Sequence, residues 1–240
     1  MYYGENNYGP RTYEEQYDAI KGMNAYITKV FGWMFIGLFL TALVGVAVAN
    51  NLRLVYTIVT TPVLFYGLLI AELVVVFVLS ARITKFSYAA AVGLFMGYAA
   101  LNGVTFSIIF LAYTDASILS AFGTTAVTFG VMCAYGYFTR NDLTRFRNIL
   151  FMGLIGIIVL SLINLLLGSS SLDWIISLIS LFVFLGLTAY DMQKLKAFYF
   201  STEGNLALRN NLGIYGALQL YLDFINLFLT ILRFMGKRRN

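Results

Sequence analysis

Residues 212–234 read LGIYGALQLYLDFINLFLTILRF, with Asp223 near the middle and Arg233 close to the end as the only full charges. About 20 helical residues cross the ~30 Å of hydrocarbon in a bilayer. The stretch shows no alternation of apolar and polar positions, so it reads as a spanning helix and not as a barrel strand. Upstream, Val30–Val48, Pro62–Ser80, Tyr88–Tyr113, Ile118–Phe138, Ile149–Gly168 and Trp174–Met192 have the same character. Thr61-Pro62 suits a helix start, with a capping hydroxyl followed by proline at the first helical position. Gly37 and Gly45, Gly93 and Gly97, and Gly153 and Gly156 are expected to allow close helix packing. The expected fold is an all-α integral membrane protein with seven transmembrane helices.

Composition agrees. The 240 residues are 60% hydrophobic and 11% charged, with a mean hydropathy of +0.80. Soluble domains carry about 25% charged and about 45–50% apolar residues, and one core in water could not hide this much apolar surface. Histidine is absent, which excludes a histidine base and histidine metal ligands. Cys133 is the only cysteine, which excludes a disulfide framework and a thiolate zinc site. Residues 1–26 are polar, with Tyr2, Tyr3, Tyr8, Tyr13 and Tyr17 among Glu5, Glu14, Glu15 and Asp18. They lack the apolar core of a signal peptide and read as a cytoplasmic tail. Residues 27–240 form the membrane domain.

The net charge is +5, but the basic residues lie between apolar runs, where they orient helices. No nucleic-acid partner is expected. With the N-terminus inside, the inner segments hold Arg11, Lys21, Lys29, Arg82, Lys85, Arg140, Arg145, Arg147, Lys194, Lys196 and Arg209. The outer loops hold Arg53, with Asp115 and Asp173. This asymmetry orients the first six spans. Arg233, Lys237, Arg238 and Arg239 run against it. Their charge favours a last segment that re-enters and returns; its unbroken length favours a seventh crossing.

Ionisable groups inside a span are costly and tend to be functional. Glu72 lies about 15 Å into the second span, at 1.5 Å per residue. Asp191 lies near the inner end of the sixth span, Asp223 near the middle of the seventh. Arg82 ends the second span on the side of Asp191. An Arg82–Asp191 pair is expected to close the inner mouth, with Glu72 level with Asp223. Two carboxylates a few ångströms apart resist double ionisation and share a proton, a pH switch that needs no histidine. When both are ionised they suit Ca²⁺. Plainer readings stand beside these: Asp191 facing water next to Lys194, Glu72 bonded to Asn102, Asn164 or Asn226, and Arg82 as an interfacial anchor.

Two stretches carry a family resemblance: Gly186-Leu187-Thr188-Ala189-Tyr190-Asp191-Met192-Gln193-Lys194, and Ala217-Leu218-Gln219-Leu220-Tyr221-Leu222-Asp223-Phe224-Ile225-Asn226-Leu227-Phe228 with Leu232-Arg233. Together they resemble the signature of the Bax inhibitor-1 (transmembrane Bax inhibitor motif) family, and specifically a bacterial inner-membrane member. Ala71-Glu72 through Arg82-Ile83, Tyr135-Gly136-Tyr137 and Asn141-Asp142-Leu143 are similar too. The likeness runs from Ile27 to Arg239. It implies seven helices with the last one central among the other six. It also implies a pH-sensitive calcium leak channel with Asp191 and Asp223 as sensor and Ca²⁺ ligands, Arg82 as latch and Glu72 as an additional pore-facing acid. Calcium ions and protons are then the permeant or bound species, and no cofactor is expected. The alternative is a non-transporting regulator that binds other membrane proteins, such as a quality-control protease. Enzymatic activity is not expected: Asp223 follows Tyr221-Leu222, unlike the Gly-x-Gly-Asp of intramembrane aspartyl proteases, and no proline follows Pro62.

Overall fold

The computed structural model describes residues 12–239. Within them run eight helices: α1 (Tyr13–Ala49), α2 (Leu52–Thr60), α3 (Pro62–Arg82), α4 (Tyr88–Ala112), α5 (Asp115–Phe138), α6 (Arg147–Leu167), α7 (Ser170–Ser201) and α8 (Leu206–Met235). All but α2 are long and apolar enough to span a membrane, and they follow the order read from hydropathy.

Three boundaries differ from the sequence reading. The start of α1 is set by a capping box, in which the Thr12 hydroxyl accepts from the Glu15 N–H and the Glu15 carboxylate accepts from the Thr12 N–H. Residues 13–26, expected as tail, are therefore the opening turns of α1, and Met23 and Tyr26 are buried. Tyr2, Tyr3, Tyr8 and Glu5 lie outside the described residues. A second unforeseen element is α2, which buries Val55 and Ile58 and exposes most of its remaining side chains. Third, the stretch around Tyr199–Asn211 is largely helix: it lengthens α7 and α8 on either side of a turn where Gly204 sits at φ 81°. Thr61 does precede the helix that Pro62 opens, but its hydroxyl makes no capping bond.

The last helix is central because it is the least apolar. The most apolar stretch of α8 has mean hydropathy 1.4 and is 72% buried, whereas that of α6 has 2.7 and buries almost nothing. Polar groups such as Gln219, Asp223, Asn226 and Thr230 are costly in contact with lipid, so α8 is enclosed and α6 faces the bilayer. Around α8 pack α1, α4, α5 and α7; α3 lies outside on α4, and α6 outside on α7.

Small residues permit the closest approaches. Gly37 of α1 faces Phe95 and Tyr221, Gly45 faces Phe110 and the Gly103 carbonyl, and Gly153 faces Val183. Gly93, Gly97 and Gly156, expected in the same role, have open space where a Cβ would stand. Gly136 of α5 does the work instead, pressed against the Ala189 carbonyl of α7.

The seventh crossing is complete, so the re-entrant alternative fails. Residues 236–239 lie along the α4–α5 turn, where Thr114 N–H donates to the Lys237 carbonyl (3.1 Å) and Arg239 N–H to the Ala112 carbonyl (2.8 Å). Arg233 pairs with Asp173 at 3.1 Å and Arg239 with Asp115 at 3.3 Å. The basic residues that break the charge rule thus meet the two acids of the same face. Both pairs are exposed, and such pairs contribute about 0–1 kcal/mol. Asp173→Ala should therefore shift the melting temperature in detergent by only a degree or two; a large drop would show that the pair anchors α8.

Candidate functional site

One seam joins α7 to α8. On α7, Asp191, Lys194 and Phe198 follow at i, i+3 and i+7. On α8, Tyr215, Gln219 and Asp223 follow at i, i+4 and i+8. Both sets keep to one helix face. Asp191 is 6% exposed and Asp223 4%. The Asp191 Oδ1 accepts a hydrogen bond from Gln219 Nε2 at 3.1 Å and lies 3.8 Å from Lys194 Nζ. Lys194 Nζ in turn donates to Gln219 Oε1 at 3.2 Å. Carboxylate, amide and ammonium therefore close a three-membered ring.

Asp223 lies one helical turn beyond Gln219, about 6 Å further along α8. Its buried Oδ2 has no hydrogen-bond partner among the described residues. Asp191 and Lys194 lie within electrostatic reach of this carboxyl, as does the buried Cys133 of α5. An orphaned carboxyl oxygen in a buried seam is expensive, and nothing local in the fold requires it.

The backbone around Asp191 is firmly held. Gln193 Oε1 accepts from the Leu143 N–H and Gln193 Nε2 donates to the Asn141 carbonyl, both at 2.8 Å. Lys196 Nζ donates to the Tyr137 carbonyl at 2.6 Å. The α5–α6 connection, with Gly136 before it, thus clasps α7 on both sides of the acid.

The other two sequence candidates lie elsewhere. Arg82 is exposed at the end of α3 and forms no ion pair or hydrogen bond among the described residues. The expected Arg82–Asp191 contact is absent because α3 packs on α4 and α2, whereas α7 packs on α8, α5, α6 and α1. The turn after Arg82 is held by α8 instead, through Asn211 Nδ2 to the Ile83 and Phe86 carbonyls at 3.2 and 2.7 Å. Glu72 is half-buried against α4, where its Oε1 accepts from the Thr105 hydroxyl at 2.5 Å. It belongs to a separate polar cluster with Tyr98 and Tyr221, in which Tyr221 OH meets Thr41 Oγ1 at 2.6 Å. Neither Asn102, Asn164 nor Asn226 bonds to it: they bond to Tyr98, Ser169 and the Leu222 carbonyl. Asp191 does sit beside Lys194, as the plainer reading had it, but it is buried and not facing water.

Comparison with known proteins identifies the family. The family profile described as "Inhibitor of apoptosis-promoting Bax1" matches residues 23–240. The chain belongs to the Bax inhibitor-1 family. It is 50% identical to the inner membrane protein YbhL of Escherichia coli K12, over 91% of this chain and 94% of that one. It is 42% identical to a protein of Borreliella burgdorferi, over 95% and 98%, and 38% identical to a membrane protein of Streptococcus pyogenes serotype M3, over 90% and 94%. The two motifs that first suggested this family are the facing strips of α7 and α8.

Gln219 takes no role in the sequence reading and Lys194 enters it only as a neighbour of Asp191, although the i−4 spacing to Asp223 and the i+3 spacing to Asp191 place them on the same faces. As a cation site this Bax inhibitor-1 seam is sparse. Ca²⁺ takes 6–8 oxygens, and among the described residues no group of three or more His, Cys, Asp or Glu side chains could hold a metal. Two carboxylates and an amide oxygen, completed by water, suit a passing ion better than a resident one.

Proposed function

We propose that this protein is a passive calcium leak of the bacterial inner membrane, gated by protonation of Asp191 and Asp223, with the N-terminus in the cytoplasm. The observation that carries the reading is the buried Asp223 carboxyl, unsatisfied at Oδ2 and one turn from the Asp191–Gln219–Lys194 ring. A group left in such a position is easily re-protonated or re-paired, and a change of charge there alters how α7 and α8 fit together. Ca²⁺ is the cargo, with no cofactor. Arg82 and Glu72 keep a proposed part: Arg82 as a latch in a state where α3 has moved toward α7, Glu72 as an acid along the path. The competing proposal, a non-transporting regulator of membrane proteins such as a protease, draws on the wide apolar face of α6.

The test is Ca²⁺ flux into dye-loaded liposomes across a pH series. Asp191→Asn and Asp223→Asn should each lose the pH dependence and most of the flux. Wild-type flux and pH response in both variants would end the leak reading. A stoichiometric membrane partner combined with no flux at any pH would favour the regulator.

A further inference from the structure

We propose that the Lys194 ammonium is the built-in counter-cation of the α7–α8 seam, and that Ca²⁺ gains Asp191 and Asp223 only by displacing it. The inference rests on the leak reading for the identity of the ion. Its basis is a cage with two unlike walls. On one side Lys194 Nζ meets Gln219 Oε1 at 3.2 Å and Asp191 Oδ1 at 3.8 Å. On the other it faces three aromatic rings, with centroids at 5.2 Å (Tyr215), 5.4 Å (Phe198) and 5.8 Å (Tyr190). Ring faces attract a cation, and more strongly where water is excluded. Oxygen atoms in front and π faces behind are what a small dehydrated cation requires, and the chain supplies that cation itself.

Every charged or titratable neighbour bears on this ammonium. Asp191 lies on its own helix, Asp223 on α8, and the exposed Arg147 at the start of α6 repels it. Tyr190 and Tyr215 contribute rings and hydroxyls. With Arg82 elsewhere, Lys194 is the cation that Asp191 holds. An ammonium and a divalent ion a few ångströms apart repel strongly in a medium of low dielectric, so the two cannot share the seam. The lysine side chain remains 24% exposed, and its flexible four-carbon stem lets the head swing out toward the end of the bundle where α7 and α8 are joined.

The experiment measures binding rather than transport. Full-length protein in nanodiscs is titrated with ⁴⁵Ca²⁺ at a series of pH values around neutrality. Lys194→Met, which keeps the length and removes the charge, should tighten the apparent Kd by about tenfold, since it removes a unit-charge repulsion. Lys194→Gln should do the same, and guards against a packing fault in the methionine variant. Lys194→Arg should bind as the wild type. Wild-type affinity in both neutral variants, with binding still lost in Asp223→Asn, overturns the lysine's role and leaves the leak reading intact. Binding that survives in Asp223→Asn overturns the leak reading itself.

Discussion

Asp223→Thr should melt higher than the wild-type protein and conduct no Ca²⁺. A buried acceptor without a partner costs about 1–3 kcal/mol, and Asp223 Oδ2 is such an atom. Threonine is close to aspartate in size and can satisfy itself. Thr125, Thr188 and Thr230 each donate to the carbonyl four residues back, at 2.7 Å, and a threonine at 223 would reach the Gln219 carbonyl in the same way. The helix-propensity loss of a β-branched residue is smaller, at most about 0.7 kcal/mol. The balance is a gain of roughly 1–2 kcal/mol, read as a rise of several degrees in a detergent melt. Stability and transport should thus move in opposite directions at one residue. A lower melting temperature would show that the carboxyl holds the bundle together, and the case for a group kept for its chemistry would fall.

Gly136→Ala should be the most damaging single methyl group in the protein. A Cβ there would run into the Ala189 backbone carbonyl. A carbonyl inside a helix cannot rotate aside as a side chain can, so α5 and α7 must separate two residues from Asp191. Overpacking of this kind costs about 1–3 kcal/mol, against the ~0.5–1 kcal/mol that alanine normally gains over glycine within a helix. Gly93→Ala is the control: with nothing within 4 Å, only the gain remains. The alanine at 136 should lower the melting temperature and disturb the pH response together, while the alanine at 93 should leave both at or above wild type. Equal melts for the two variants would mean that α5 and α7 are not held at this distance.

The number and order of the spans can be read from hydropathy because a membrane demands long uninterrupted apolar runs, and this chain has seven. The boundaries were harder where helices leave the bilayer. Residues 13–26 are polar, yet they continue α1, because a capped helix that is already nucleated extends cheaply. Asp191 and Asp223 stood out because a carboxylate in an apolar run has no structural excuse. The absence of an Arg82–Asp191 contact in this structure has a different reason. Depth along a helix follows from counting residues, but which helices are neighbours does not, and α3 proved to lie outside α4 rather than beside α7. The cage around Lys194 was hidden by the same gap: its aromatic and amide partners look like ordinary span residues until α7 and α8 are laid face to face.

The enclosed position of α8 also constrains how the molecule is made. Translation delivers the centre of this bundle after everything that surrounds it. Until residue 206 has left the ribosome, α1, α4, α5 and α7 must wait in the bilayer around a vacancy, with Thr41, Tyr98 and Asp191 lining its walls. A chain cut short before that point would be a hollow intermediate with its polar lining open to lipid, a state that surveillance of nascent membrane proteins could recognise and remove.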